Sequence, residues 1–129
     1  MREHVDRARR RRPESVDVFR HDVDLQDALA MSLLVAVQEA IDVGFHIVAD
    51  EGWGVPSSYA EGFEILARRG LLDEGLADDL ARAVAVRHRI AHGYATLDAE
   101  RFWSEVPAGL DALDRFAAAI ARFLPADAG

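Results

Sequence analysis

The chain has 129 residues, half of them apolar, which supports one domain with a sizeable core and excludes general disorder. It contains no cysteine, so a disulfide framework, a thiolate metal centre and a cysteine nucleophile are excluded. The formal net charge of -8 argues against non-specific nucleic-acid binding, and any such contact needs a local basic patch.

Residues 1–21 read as a charged, flexible arm, in which Arg7, Arg9, Arg10, Arg11 and Arg12 form a basic run that Pro13 ends. No apolar stretch follows these arginines, so the segment does not read as a signal peptide, and a cytoplasmic location is expected. The folded domain is expected over residues 22–125, with 126–129 as a tail. Its first helix is expected to open at Asp24 and carries Leu25, Ala28, Leu29, Leu33, Ala36, Val37, Ala40, Ile41 and Ile47 at helical spacing. The apolar run Ala28–Val37 is interrupted by Ser32 and is too short to span a bilayer, so no membrane contact is expected. Gly52, Gly54 and Pro56 mark a loop. A capping box, Ser58 with Glu61, opens the second helix, and Gly70 stops it. Asp73 is placed to cap the third helix, where Leu76, Leu80, Ala83, Val84, Arg87, Ala91 and Tyr94 fall near one line. Asp98 is placed to cap the last helix, which carries Phe102, Val106, Leu110, Leu113, Phe116, Ile120 and Phe123. Pro107 is expected to kink or break it near its first turns. Four main helices joined by short connections predict an all-α, antiparallel up-and-down bundle.

The unusual stretch is Arg87-His88-Arg89-Ile90-Ala91-His92-Gly93-Tyr94, at the predicted end of the third helix. Seven residues apart, Arg87 and Tyr94 are separated by only about 20° on an ideal helix. A guanidinium on an apolar stripe needs a carboxylate, a subunit interface or an anionic ligand. A cation is a poor occupant. His88 and His92 are four apart, but Arg89 stands where a zinc protease has glutamate, and the flanking arginines repel positive charge. None of the five histidines follows a glutamate by three positions, as a bundle-core carboxylate site requires. No metal and no cofactor are therefore expected. Cleavage of RNA is a better match. The 2′-hydroxyl is a built-in nucleophile, and the enzyme must supply a base, an acid and positive charge. Histidine suits the proton transfers and arginine the phosphate oxygens. An ordinary structural reading remains open beside it: His92 ending a helix, Arg87 in an ion pair, Tyr94 in the core.

Arg87, His92 and Tyr94, spaced as R-x4-H-x-Y, resemble the signature of HEPN domains, and more narrowly the chain resembles the HepT-like toxin family. The similarity runs from about Asp22 to Leu124. It includes Gln38-Glu39-Ala40-Ile41-Asp42 with His46-Ile47, then Pro56-Ser57-Ser58-Tyr59 with Glu61 and Phe63. Leu66, the Gly70-Leu71-Leu72 turn and Leu97-Asp98 extend it. The resemblance implies helical bundles that form homodimers, with the signature helices of two subunits lining a shared cleft. It implies metal-independent endoribonucleases acting as toxins of toxin–antitoxin pairs. The implied partner is an MntA-like minimal nucleotidyltransferase, which transfers AMP to the signature tyrosine. By position, Arg87 and His92 are the expected catalytic residues, with His88 beside them where asparagine is more usual, and Tyr94 is the expected modification target. Arg82 and Arg89 are expected to contact RNA. The alternative within the same resemblance is a non-catalytic subunit that presents nucleotide or substrate to a nucleotidyltransferase. A third reading is a structural dimerisation module.

Overall fold

A computed structural model describes residues 1–124, which form six α-helices and, among the described residues, no strand. These are α1 (Arg2–Arg11), α2 (Val16–Arg20), α3 (Val23–Glu51), α4 (Tyr59–Arg68), α5 (Glu74–Gly93) and α6 (Ala99–Phe123). A 3₁₀ turn, Tyr94–Thr96, joins α5 to α6. The four helices expected from apolar spacing are α3 to α6, and the fold is the expected all-α bundle. The tail expected at 126–129 lies outside the described residues.

The bundle is organised around α3, whose 29 residues extend about 44 Å. It touches each of the other five helices. Its most apolar stretch, of mean hydropathy 1.6, would suit a bilayer by length and composition, but half of that stretch is buried inside the fold. Capping sets where the helices start. Asp22, not the expected Asp24, caps α3, its Oδ1 accepting from the Leu25 N–H at 3.0 Å. Asp24 instead lies in the first turn, where a carboxylate favours the helix dipole. Ser58, Asp73 and Asp98 cap α4, α5 and α6 as expected. Glu61 reaches back one residue further than a standard capping box, to the Ser57 N–H at 3.0 Å and hydroxyl at 2.9 Å. Gly52 and Gly70 take the left-handed conformation, and each lets the next residue's N–H return to a carbonyl of the helix just ended.

Residues 1–21 depart from the expected flexible arm. They hold α1 and α2, and both are docked. Val5, Ala8 and Phe19 are buried in the common core. α4 has only 10 residues and packs on the C-terminal half of α3, where Gly44 lies against Phe63 and Leu66. The N-terminal half of α3 therefore needs another cover, which α1 and α2 supply. The arginine run is the docking device. Arg11 donates to the buried Ser32 hydroxyl at 2.9 Å, Arg9 pairs with Asp114, and Arg12 reaches α6. Arginine stems cover apolar surface while their heads remain hydrogen-bonded, so a strongly charged helix still packs.

Pro107 does not break α6, which runs continuously from Ala99 to Phe123. Proline has no N–H, so the carbonyl four residues earlier, that of Trp103, loses its helical donor. Arg12 Nε supplies one instead, at 3.0 Å. The Arg12 guanidinium also lies 3.9 Å from the Trp103 ring centroid, and Trp103 Nε1 donates to the Pro13 carbonyl at 2.7 Å. Partial burial lowers the pKa of Arg12, as expected for a guanidinium drawn from water.

Candidate active site

The last two turns of α5 carry the signature. Buried Leu80, Ala83, Val84, Val86 and Ile90 fix the helix against the core, and that registration turns Arg87 toward α4. The Arg87 guanidinium lies 5.2 Å from the Tyr59 ring centroid. Tyr59 stacks on His88 at 5.8 Å with planes 10° apart, and His88 stacks on His92 at 5.8 Å and 28°. Arginine, tyrosine and two histidines thus form one continuous ladder, with both imidazoles exposed at its open end. The Arg87 Nε is buried and, among the described residues, has no hydrogen-bond partner. This is a costly state unless an acceptor arrives. Of the three partners that the spacing left open for Arg87, no carboxylate pairs with it among the described residues.

Tyr59 is a site residue that the sequence reading did not single out. It is the first residue of α4, and the edge of Phe45 against its ring, centroids 5.9 Å apart, holds it from the α3 side. The close approach of α4 to α3 depends on Gly62, where a Cβ would stand 2.5 Å from Phe45 Cε1. A glycine in a short helix facing an aromatic is the available signal, but it points to packing rather than to Arg87.

Tyr94 leaves the stripe because α5 ends at Gly93. It stands on the 3₁₀ turn, 39% exposed, and its hydroxyl donates to the Asp27 carboxylate of α3. Burial, and then the hydrogen bond to Asp27, push its pKa up to about 12. Asp27 was also not singled out, since an acid near the start of a helix reads as ordinary dipole compensation.

Arg82 and Arg89 lie a heptad apart on a different face of α5 from Arg87. Arg89 Nη2 donates to both Glu105 oxygens of α6, at 2.7 and 2.6 Å, and exposed Arg82 pairs with Asp79. They are not gathered around the ring ladder, and both are engaged with carboxylates.

The helical bundle and its arginine–histidine motif define a class, and sequence comparison agrees. Residues 1–120 match the ribonuclease HepT-like family. The chain belongs to that family. A relative, the mRNA nuclease HepT of Shewanella oneidensis, is 31% identical over 80 residues, which span 62% of this chain and 60% of that protein. The tri-AMPylated HEPN toxin of Shewanella oneidensis, solved in complex with MNT antitoxin, superposes with a TM-score of 0.85 at 25% identity, covering 94% of this chain and 90% of that one. YutE of Bacillus subtilis, a cytosolic protein of unknown function, shares the fold at a TM-score of 0.76 and 19% identity, covering 99% and 93%.

Proposed function

We propose that this chain is a metal-independent endoribonuclease, the toxin of a toxin–antitoxin pair. The observation that carries the reading is the buried, unpartnered Arg87 Nε beside two exposed histidines. Arg87 binds the scissile phosphate and stabilises the charge that builds on it. One imidazole takes the proton from the 2′-hydroxyl as that oxygen attacks phosphorus. A second gives a proton to the departing 5′-oxygen, which leaves a 2′,3′-cyclic phosphate and a 5′-hydroxyl. His92 is the primary proton-transfer group, and His88 is the second group of the same ladder. A homodimer that brings two motifs together doubles the available acids and bases and covers the charged cleft. Tyr94 is the acceptor for AMP from an MntA-like nucleotidyltransferase. Its place two residues after His92 in the chain supports a block on the RNA site, because an added phosphodiester repels substrate phosphate. The net charge of -8 is consistent with RNA capture at the motif rather than by a general field.

The test is RNA cleavage by purified protein in excess EDTA, wild type beside His92→Ala, with product ends identified and dimerisation checked by light scattering. Cleavage that leaves cyclic phosphate ends and disappears in a folded His92→Ala variant is the expected result. Absence of cleavage by wild type, with Tyr94 shown unmodified by intact mass, refutes the ribonuclease reading and moves the assignment to a nucleotide-presenting subunit.

A further inference from the structure

Asp27 occupies an uncommon position on α3. One turn to either side of it stand Val23 and Met31, both strongly exposed at 64% and 60%. Among the described residues no cation pairs with Asp27, and its contact is the hydroxyl of Tyr94, 67 residues away. Asp27 is also the charged group that acts on that hydroxyl among the described residues. Beside the pair opens a hollow of about 210 Å³ between α2, α3 and the start of α6, lined by Phe19, Val23, Gln26, Leu97 and Phe102 together with Asp27 and Tyr94. The Gln26 amide N–H₂ is used on the carbonyls of Phe19, at 2.8 Å, and Arg20, at 3.2 Å. The hydroxyl therefore meets a carboxylate, and the two residues of the pair both line a hollow in which a phosphorus centre can be accommodated.

We propose that Asp27 is the general base for adenylylation of Tyr94, so that this chain supplies the catalytic carboxylate for its own modification. The proposal rests on Tyr94 being the AMP acceptor. The Tyr94 oxygen forms a bond to the α-phosphorus of a nucleoside triphosphate. The bond from that phosphorus to the bridging oxygen breaks, and pyrophosphate leaves with the electron pair. The phenolic proton passes to Asp27 Oδ1, and solvent later removes it. A phenol held beside an anion does not ionise readily on its own, so attack and proton transfer have to occur together. Burial and Asp27 both raise the Tyr94 pKa, so the phenol is protonated before attack and its proton has to be taken up during it. Transfer of a hydroxyl proton to a positioned aspartate is established chemistry for phosphoryl acceptors.

The experiment avoids any transferase. Adenosine 5′-phosphorimidazolide, an activated adenylate, is incubated with wild type, Asp27→Asn, Asp27→Glu and Tyr94→Phe, and AMP addition is followed by intact and peptide mass. Tyr94→Phe assigns the site, since the chain has only two tyrosines. Asp27→Asn keeps the shape and the acceptor oxygen but removes the base. Its Tyr94 rate is expected to fall about 100-fold, the lower end of general-base effects, and to rise with hydroxide where the wild-type rate is level. Asp27→Glu is expected to recover part of the rate. An Asp27→Asn protein that reacts as fast as wild type or faster overturns the proposal, as does wild-type Tyr94 reacting more slowly than free N-acetyltyrosinamide. Either result makes Asp27 an anchor that shields the hydroxyl. Whether Tyr94 carries AMP in cells is read separately, by intact mass of protein from its own host. A bare Tyr94 there removes the regulatory role and leaves the reactivity difference standing.

Discussion

Arg12→Leu tests whether Pro107 and the N-terminal segment are one device. The substitution removes a charge-assisted hydrogen bond to the Trp103 carbonyl, worth about 1.5–3 kcal/mol. It also removes a partly exposed cation–π contact worth about 0.5–1 kcal/mol. The expected loss is therefore about 2–4 kcal/mol. Pro107→Ala returns an N–H to the same carbonyl, so the carbonyl no longer depends on Arg12. In that background Arg12→Leu is expected to cost only about 1 kcal/mol, which leaves a coupling energy of about 1–3 kcal/mol. Urea unfolding of the four proteins, followed by far-ultraviolet circular dichroism, yields the cycle directly. Additivity within about 0.5 kcal/mol refutes the reasoning. It would mean that water satisfies the Trp103 carbonyl and that Arg12 contributes only by stacking.

Two further outcomes follow from the site. Tyr94 is expected to ionise at about 12, against 10.0 for an unperturbed phenol. Its folded-state pKa is raised by burial and then by Asp27, so the stability linked to the neutral phenol is full below pH 10 and is lost as pH rises through about 12. Phenolate absorbance of wild type, Tyr94→Phe and Asp27→Asn checks this, and an unchanged Tyr94 titration in Asp27→Asn refutes it. Tyr59→Leu removes the face on which Arg87 and His88 rest while keeping the apolar contact with Phe45. With about 1 kcal/mol of positioning lost, kcat for RNA cleavage is expected to fall about five-fold with KM little changed. An unchanged kcat shows that Arg87 is held by other contacts.

Tyr59 and Asp27 show what kind of information was missing from the chain read as a line. Each is ordinary in its own helix, a first-turn aromatic and an acid of the second turn. Their roles come from what α5 brings to them, Arg87 and His88 in one case and Tyr94 in the other. The arginine run illustrates the same point. With only Val5 and Ala8 buried in it, α1 has too thin an apolar stripe to register as a core helix. It docks because α4 is short and leaves half of α3 uncovered.

The sequence alone determined the helical class, four of the six helices, three of the four predicted caps, the stop at Gly70 and the chemical character of Arg87, His88 and His92. Those features depend on local spacing and on backbone conformation, which nearby residues dictate. Tertiary structure decided that residues 1–21 close the bundle, that α6 survives Pro107, and that Arg82 and Arg89 bind carboxylates rather than facing the motif. It also decided which side chains complete the site. Each of those outcomes is a contact between residues distant in sequence, set by how helices of unequal length cover one another.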